Sequence, residues 1–101
     1  MAEFVKVAST EGIAPGSGIV AEVNGKSLAI FNVDGTFYAI DNTCLHKGGP
    51  LGEGDLAGDV VTCPWHGWEY DVKTGISVNN PSARVTTYPI VVEGADIKVE
   101  V

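Results

Sequence analysis

Hydrophobic and polar residues alternate along much of this chain with a period of two, and short turn signals separate the alternating runs. At the chain's end, Ile97, Val99 and Val101 interleave with Lys98 and Glu100, the pattern of a half-buried strand. Four hairpins follow from the turn chemistry. Val20–Val23 and Leu28–Phe31 flank Asn24-Gly25, a pair suited to the positive φ angles of a two-residue turn. Phe31–Val33 and Phe37–Ile40 flank Asp34-Gly35 in the same way. Tyr70-Asp71-Val72 runs into Lys73-Thr74-Gly75, with Gly at the left-handed position. Val85–Val92 is joined to Ile97–Val101 through Glu93-Gly94. No segment sustains a 3.6-residue period, and Gly or Pro interrupts nearly every stretch. The expected class is all-β: an antiparallel β-sandwich or partly open barrel.

One region departs from this plain succession of strands. Residues from about 42 to 80 are rich in Gly, Pro and Trp and hold every Cys and His of the chain. With 101 residues, no internal repeat and no long linker, residues 1–101 read as a single domain, and this segment as a functional subdomain inserted between hairpins.

Charge narrows the choice of partner. Thirteen acidic residues against six basic ones give a net charge of −7, which excludes free nucleic acid, since phosphate binding needs clustered Lys and Arg. Acidity serves solubility or steers the chain towards a basic protein, and Glu53, Asp55, Asp59 and Glu69 lie close in sequence to the Cys and His residues. The start, MAEFVKVAST, lacks a basic segment followed by an apolar run, and no stretch approaches membrane-spanning length. A cytoplasmic protein without a membrane anchor is expected.

The chain has two cysteines and two histidines, arranged as the mixed pairs Cys44-x-His46 and Cys63-x-x-His66. A disulfide would leave both histidines unexplained and would seldom persist in a cytosolic chain. Thiolate and neutral imidazole are both good metal ligands, and tetrahedral zinc is the simplest site they make. The mixed pairing argues against a zinc finger, where Cys pairs with Cys and His with His. A 2Fe–2S cluster with two imidazoles on one iron accounts for the mixing, because each loop must then reach both irons. It also gives Gly48, Gly49 and Gly67 a purpose: bare backbone can approach bridging sulfides and aim amides at sulfur.

Cys44-Leu-His46-Lys47-Gly48 and Cys63-Pro64-Trp65-His66-Gly67 resemble the two cluster-binding loops of Rieske proteins. The longer stretches AIFNVDGTFYAIDNTCLHKGGPL, GDLAGDVVTCPWHGWEYDVKTG and TTYPIVVEGADIKVEV resemble the soluble Rieske ferredoxins of bacterial ring-hydroxylating oxygenases. The resemblance implies a Rieske-like fold with two cluster-binding loops and one 2Fe–2S cluster. Cys44 and Cys63 would ligate the buried iron and His46 and His66 the outer one, with Asn79-Asn80-Pro81-Ser82-Ala83 as a third, covering loop. Quinol-oxidising Rieske subunits join their loops with a further disulfide, and the matching positions here are Gly49 and Trp65. Those subunits also place a serine hydroxyl near a bridging sulfide where this chain has Trp68. Tyr70 matches a tyrosine that donates to a cysteine sulfur in that branch, though a strand aromatic in the core reads equally well. Trp65 and Trp68 either shield the cluster or pack beneath the loop, and Trp65 has the further option of exposure at a docking face. Lys47 is either a solvated charge or a cation that favours the reduced cluster.

The expected role is a one-electron carrier rather than an enzyme: a monomer that takes electrons from a flavoprotein reductase and passes them to a terminal oxygenase. Two alternatives stay open at this point. One is the small Rieske-like subunit of an assimilatory nitrite reductase; the other is a zinc-stabilised interaction module.

Overall fold

The structure, a computed structural model, describes residues 3–45, 48–65 and 67–100. Among them are ten strands and two 3₁₀ turns. β1 (Phe4–Ser9), β2 (Ser17–Val23), β3 (Lys26–Val33) and β4 (Thr36–Asp41) precede the cysteine-bearing segment. β5 (Asp55–Ala57), β6 (Val60–Thr62) and β7 (Glu69–Asp71) lie within it, and β8 (Thr87–Tyr88), β9 (Ile90–Glu93) and β10 (Asp96–Glu100) follow. They form three antiparallel sheets, β2-β3-β4-β8, β1-β10-β9 and β5-β6-β7.

The first sheet is built from the two turns that the sequence marks most strongly. Val23 pairs with Lys26 across Asn24-Gly25, and Val33 with Thr36 across Asp34-Gly35. Both turns have positive φ at both central residues, 50° and 79° in the first and 53° and 94° in the second. These are type I′ geometries, whose twist matches that of the strands they join. Buried Asn32 secures the second turn: its Oδ1 accepts from the Gly35 amide at 2.8 Å and its Nδ2 donates to the Ile13 carbonyl at 2.8 Å.

Leu28-Ala29-Ile30-Phe31 explains why the chain is layered. All four are buried, so the strand shows no hydrophobic–polar alternation. Leu28 and Ile30 face a core shared with Phe37, Ala39, Ile97 and Val99. Ala29 and Phe31 face the opposite core, which contains Ile40, Leu51, Val61, Tyr70 and both cysteines. The middle sheet is thus covered by β1-β10-β9 on one side and by the cysteine-bearing segment on the other. Each large side chain buried here contributes about 1.5–3 kcal/mol. β1 also lies against β2 and β9 against β4, which curls the two larger sheets into a partly open barrel. The all-β expectation holds.

Four details differ from the sequence reading. Val85–Val92 is not one strand: β8 pairs with β4, Pro89 intervenes, and β9 pairs with β10 in the other sheet. Proline has no N–H for a ladder, so the chain changes sheets there. The following turn is centred on Gly94-Ala95 rather than Glu93-Gly94, since Glu93 pairs with Asp96. Gly94, with φ 61°, takes the first central position, as a type II′ turn asks. In the third hairpin Gly75 has φ 78° as expected, but the returning limb makes only the isolated bridges Tyr70↔Ser77 and Ile76↔Arg84. β1, β5 and β6 were not anticipated by the turn signals.

Tyr88 ties the sheet switch to β4 by donating to Asp41 Oδ1 at 2.7 Å. Burial, then this hydrogen bond, raises the Tyr88 phenol from 10.0 to about 12. The folded value exceeds the unfolded one, so the contribution is complete below about pH 10 and disappears as pH rises through about 12. Tyr88→Phe is expected to lower stability by about 1 kcal/mol at neutral pH, as a partly exposed hydrogen bond to a carboxylate should. Urea unfolding of both proteins should show that gap closing between about pH 10 and pH 12. A gap that persists undiminished through this window would assign it to packing instead.

Candidate metal centre

Two loops converge beneath the middle sheet. The first leaves β4 and returns into the 3₁₀ turn Leu51–Glu53. Its neck is a bridge between Thr43 and Pro50, and inside it the Cys44 amide donates to the Gly49 carbonyl at 2.9 Å. The Gly48 amide donates back to the Cys44 carbonyl at 2.8 Å, closing a tight turn in which Gly48 has φ 77°. The second loop joins β6 to β7, and its base is closed by the Cys63 amide donating to the Trp68 carbonyl at 2.6 Å.

Both cysteines sit at the inner ends of these loops, 1% and 2% exposed, and neither is in a disulfide. Leu45 and Trp65, at the outer ends, are 53% and 48% exposed. The loops touch at Gly49. A Cβ added there would stand 2.7 Å from Cys63 Sγ and 3.0 Å from Trp65 Cγ, so no larger residue fits without moving the second loop. That Cβ would also lie 3.1 Å from Trp65 Cβ. The two positions that carry the loop-joining disulfide in quinol-oxidising Rieske subunits therefore face each other here without one.

Hydrogen-bond donors surround the sulfurs. The Trp65 amide approaches Cys63 Sγ at 3.4 Å. Tyr70 is fully buried, and its Oη lies 3.4 Å from Cys44 Sγ while accepting from the Leu45 amide at 3.1 Å. When Cys44 is a thiolate the phenol holds the hydrogen, and the Leu45 contact fixes the oxygen that carries it. Tyr70 is thus both a core aromatic and a sulfur contact. Burial, then the Cys44 contact, pushes its phenol up to about 12, so the proton stays on oxygen. Burial also pushes the Cys63 thiol up, the Trp65 amide opposing and Cys44 adding to the rise. Thiolates in such a place call for a positive centre, because a coordinating metal deprotonates a thiol outright.

The other sequence-predicted residues are distributed as follows. His46, Lys47 and His66 lie outside the described residues. Trp68 is half-buried against the core that holds both cysteines, so of the two tryptophans it is the packing one and Trp65 the exposed one. Gly67 has φ 76° beside the second loop's outer end. Pro81 is exposed on a turn where the Ala83 amide donates to the Asn80 carbonyl at 2.8 Å. That segment docks on β7 through Asn79 Oδ1, which accepts from the Glu69 amide at 2.6 Å. The acids near the loops divide, with Asp55 and Glu69 on either side of Thr62 and Asp59 apart from them. Asp55 pairs with Thr62 next to Cys63, whereas Asp59 is at the far end of the small sheet, 3.5 Å from Lys73. Asn42 and Leu45 were missed, with only their polar or apolar type next to the loop motifs to hint at them, while Asn79 was expected in a covering loop but not as the residue that docks it on β7.

The donor set fits an iron–sulfur centre. Two buried cysteines, not joined in a disulfide, come from two touching loops, Gly49 leaves no room for a side chain at the contact, and an amide and a phenol approach sulfur. Among the described residues no group of three or more His, Cys, Asp or Glu gathers into another metal site.

Comparison with known proteins agrees with this geometry. Residues 3–89 match the family model of the Rieske [2Fe-2S] domain. The biphenyl dioxygenase ferredoxin subunit of Pseudomonas sp. (strain KKS102) is 37% identical over 99 residues, covering 96% of this chain and 91% of that protein. In the solved complex of reduced oxygenase and oxidized ferredoxin in carbazole 1,9a-dioxygenase, one chain superposes with a TM-score of 0.86. It is 32% identical, over 95% of this chain and 91% of that one. The small subunit of an NADH-dependent nitrite reductase from Mycobacterium tuberculosis superposes with a TM-score of 0.91 over 100% of this chain and 96% of that one. At 21% identity that likeness is one of fold alone. The chain belongs to the Rieske [2Fe-2S] domain family, and its cofactor is one 2Fe–2S cluster of that type.

Proposed function

We propose that this protein is the ferredoxin of a ring-hydroxylating oxygenase system, a one-electron carrier between a flavoprotein reductase and a terminal oxygenase. The observation that carries the reading is the pair of buried cysteines, not joined in a disulfide, on two touching loops, in a chain 37% identical to a dioxygenase ferredoxin subunit. Cys44 and Cys63 would hold the inner iron, and His46 and His66 the outer one. The cluster, when bound, accepts and releases one electron. Tyr70 and the Trp65 amide stabilise negative charge on sulfur, and the core around Ile40, Val61 and Tyr70 keeps water from the inner side. Leu45 and Trp65 offer partners an apolar contact at the loop tips. Residues 42–80 act as the cluster-binding subdomain, with the segment around Pro81 as its cover. Among the described residues no helix is long and apolar enough to cross a membrane, in keeping with a cytoplasmic carrier.

The purified protein should be red-brown, with about two irons and two acid-labile sulfides per chain. Its electron paramagnetic resonance signal should appear only after one-electron reduction. Cys44→Ser or Cys63→Ser should abolish assembly, and iron analysis reads the result directly. A colourless protein holding one zinc would end the proposal, while permanent association with a larger subunit would favour the nitrite reductase reading.

The reduction potential should lie low in the Rieske range, roughly −150 to 0 mV, since Trp68 cannot supply a hydroxyl to a bridging sulfide. Removing the phenol's hydrogen bond with Tyr70→Phe should lower it by ~30–60 mV, about three- to tenfold in a one-electron equilibrium. Redox titration monitored by circular dichroism measures this. An unchanged potential together with lower thermal stability would leave Tyr70 a packing residue only.

A further inference from the structure

Asn42 stands two residues before Cys44 and is buried, an unusual place for an amide side chain. All of its polar groups are used. Its backbone amide donates to the Ser27 carbonyl at 3.0 Å, and its carbonyl accepts from the Leu51 amide at 2.6 Å. Its side-chain Oδ1 accepts from the Gly52 amide at 2.7 Å, and its Nδ2 donates to Ser27 Oγ at 3.2 Å. Ser27 belongs to β3, the doubly buried strand, while Leu51 and Gly52 begin the limb that returns from the first loop. One residue therefore joins the outgoing limb, the returning limb and the middle sheet.

The returning limb is itself wedged against β2. A Cβ at Gly52 would stand 2.7 Å from the Ile19 carbonyl oxygen, so the limb has no freedom to withdraw on that side. Between the two clamped ends lie Thr43–Pro50, and with them Cys44, the Gly48 and Gly49 backbone, and the contact of Gly49 with Cys63.

We propose that Asn42 is a positioning residue for the cluster: through Gly52 and Ser27 it fixes the span of the first loop and so keeps Cys44 and Gly49 in register with the second. This rests on the reading of Cys44 and Cys63 as ligands, which is tested separately by the iron content of the unmodified protein. The role does not require Asn42 to touch the cluster. It requires the Gly52 amide, buried with it, to have an acceptor, because a buried donor left unpaired pulls towards water and would open the neck.

The test compares holoproteins. Asn42→Ala should speed the loss of iron from the reduced protein to a ferrous chelator about tenfold and broaden the resonance signal, reporting a spread of cluster geometries. Asn42→Asp keeps an oxygen for Gly52 and lets the Ser27 hydroxyl donate to it, so its rate should stay within about threefold of the wild type. Val99→Ala, in the core on the other side of the middle sheet, serves as the control for general destabilisation and should leave both readouts unchanged. If Asn42→Ala does not assemble, Ser27→Ala removes one contact only and should speed release about twofold. Equal acceleration by the alanine variants at 42 and 99, or unchanged release and linewidth in Asn42→Ala or its Ser27→Ala stand-in, would overturn the assignment.

Discussion

The rest of the molecule depends on the double burial of Leu28–Phe31. A strand with both faces covered needs two layers, one on each side, and these are the sheet β1-β10-β9 and the cysteine-bearing segment with its small sheet β5-β6-β7. The second layer is made from short strands and loops, and the cysteines take part in it as core residues beside Phe31 and Ile40. Cysteine is apt for this because it packs as a small hydrophobe while keeping its ligand chemistry. If the two cysteines ligate the cluster as proposed, the metal centre is an extension of the hydrophobic core. A loss of packing on that side of the sheet would expose sulfur, because the cysteines share their burial with Leu51, Val61 and Tyr70.

How much of this could be read from sequence follows from the range of each interaction. Asn24-Gly25 and Asp34-Gly35 are local signals, and the hairpins they mark form with the expected turn type. The break at Pro89 carried an equally local signal, a missing N–H, but the surrounding valines and isoleucine looked like one continuous strand. β5 and β6 have three residues each, too few to establish a period. The proposed ligands stand out in the sequence as a set of residue types at a set spacing, and the structure brings the loops of Cys44 and Cys63 into contact. Their support was legible only in part: the family resemblance offered Tyr70 as a sulfur contact, 26 residues from Cys44, but Asn42 joined Ser27 and Gly52 through contacts that no spacing rule encodes. Gly49 lay between: the motif suggested a close approach of backbone to cluster, and the structure puts the other loop there as well.

The sulfur environment is graded from one side of the centre to the other. Cys44 meets a phenol from the buried side, while Cys63 meets a backbone amide from its own loop. A side-chain donor can be altered by substitution without disturbing the chain path, but an amide donor cannot. One contact is therefore adjustable and the other comes with the loop's conformation. Trp68 fills, by packing, a position from which a hydroxyl would act electrostatically in the quinol-oxidising branch.

Exposure of Leu45 and Trp65 at the tips has a kinetic meaning. Two apolar side chains on narrow loops cover far less than the ~1,200–2,000 Å² buried by long-lived protein complexes. A contact confined to them forms readily and also dissolves readily, with little energy holding the pair together once the electron has moved. For a carrier that shuttles between two proteins, as proposed, short residence would be a condition of throughput, since differences among related complexes fall mostly on the dissociation rate. A wider apolar face would tighten binding and slow the cycle.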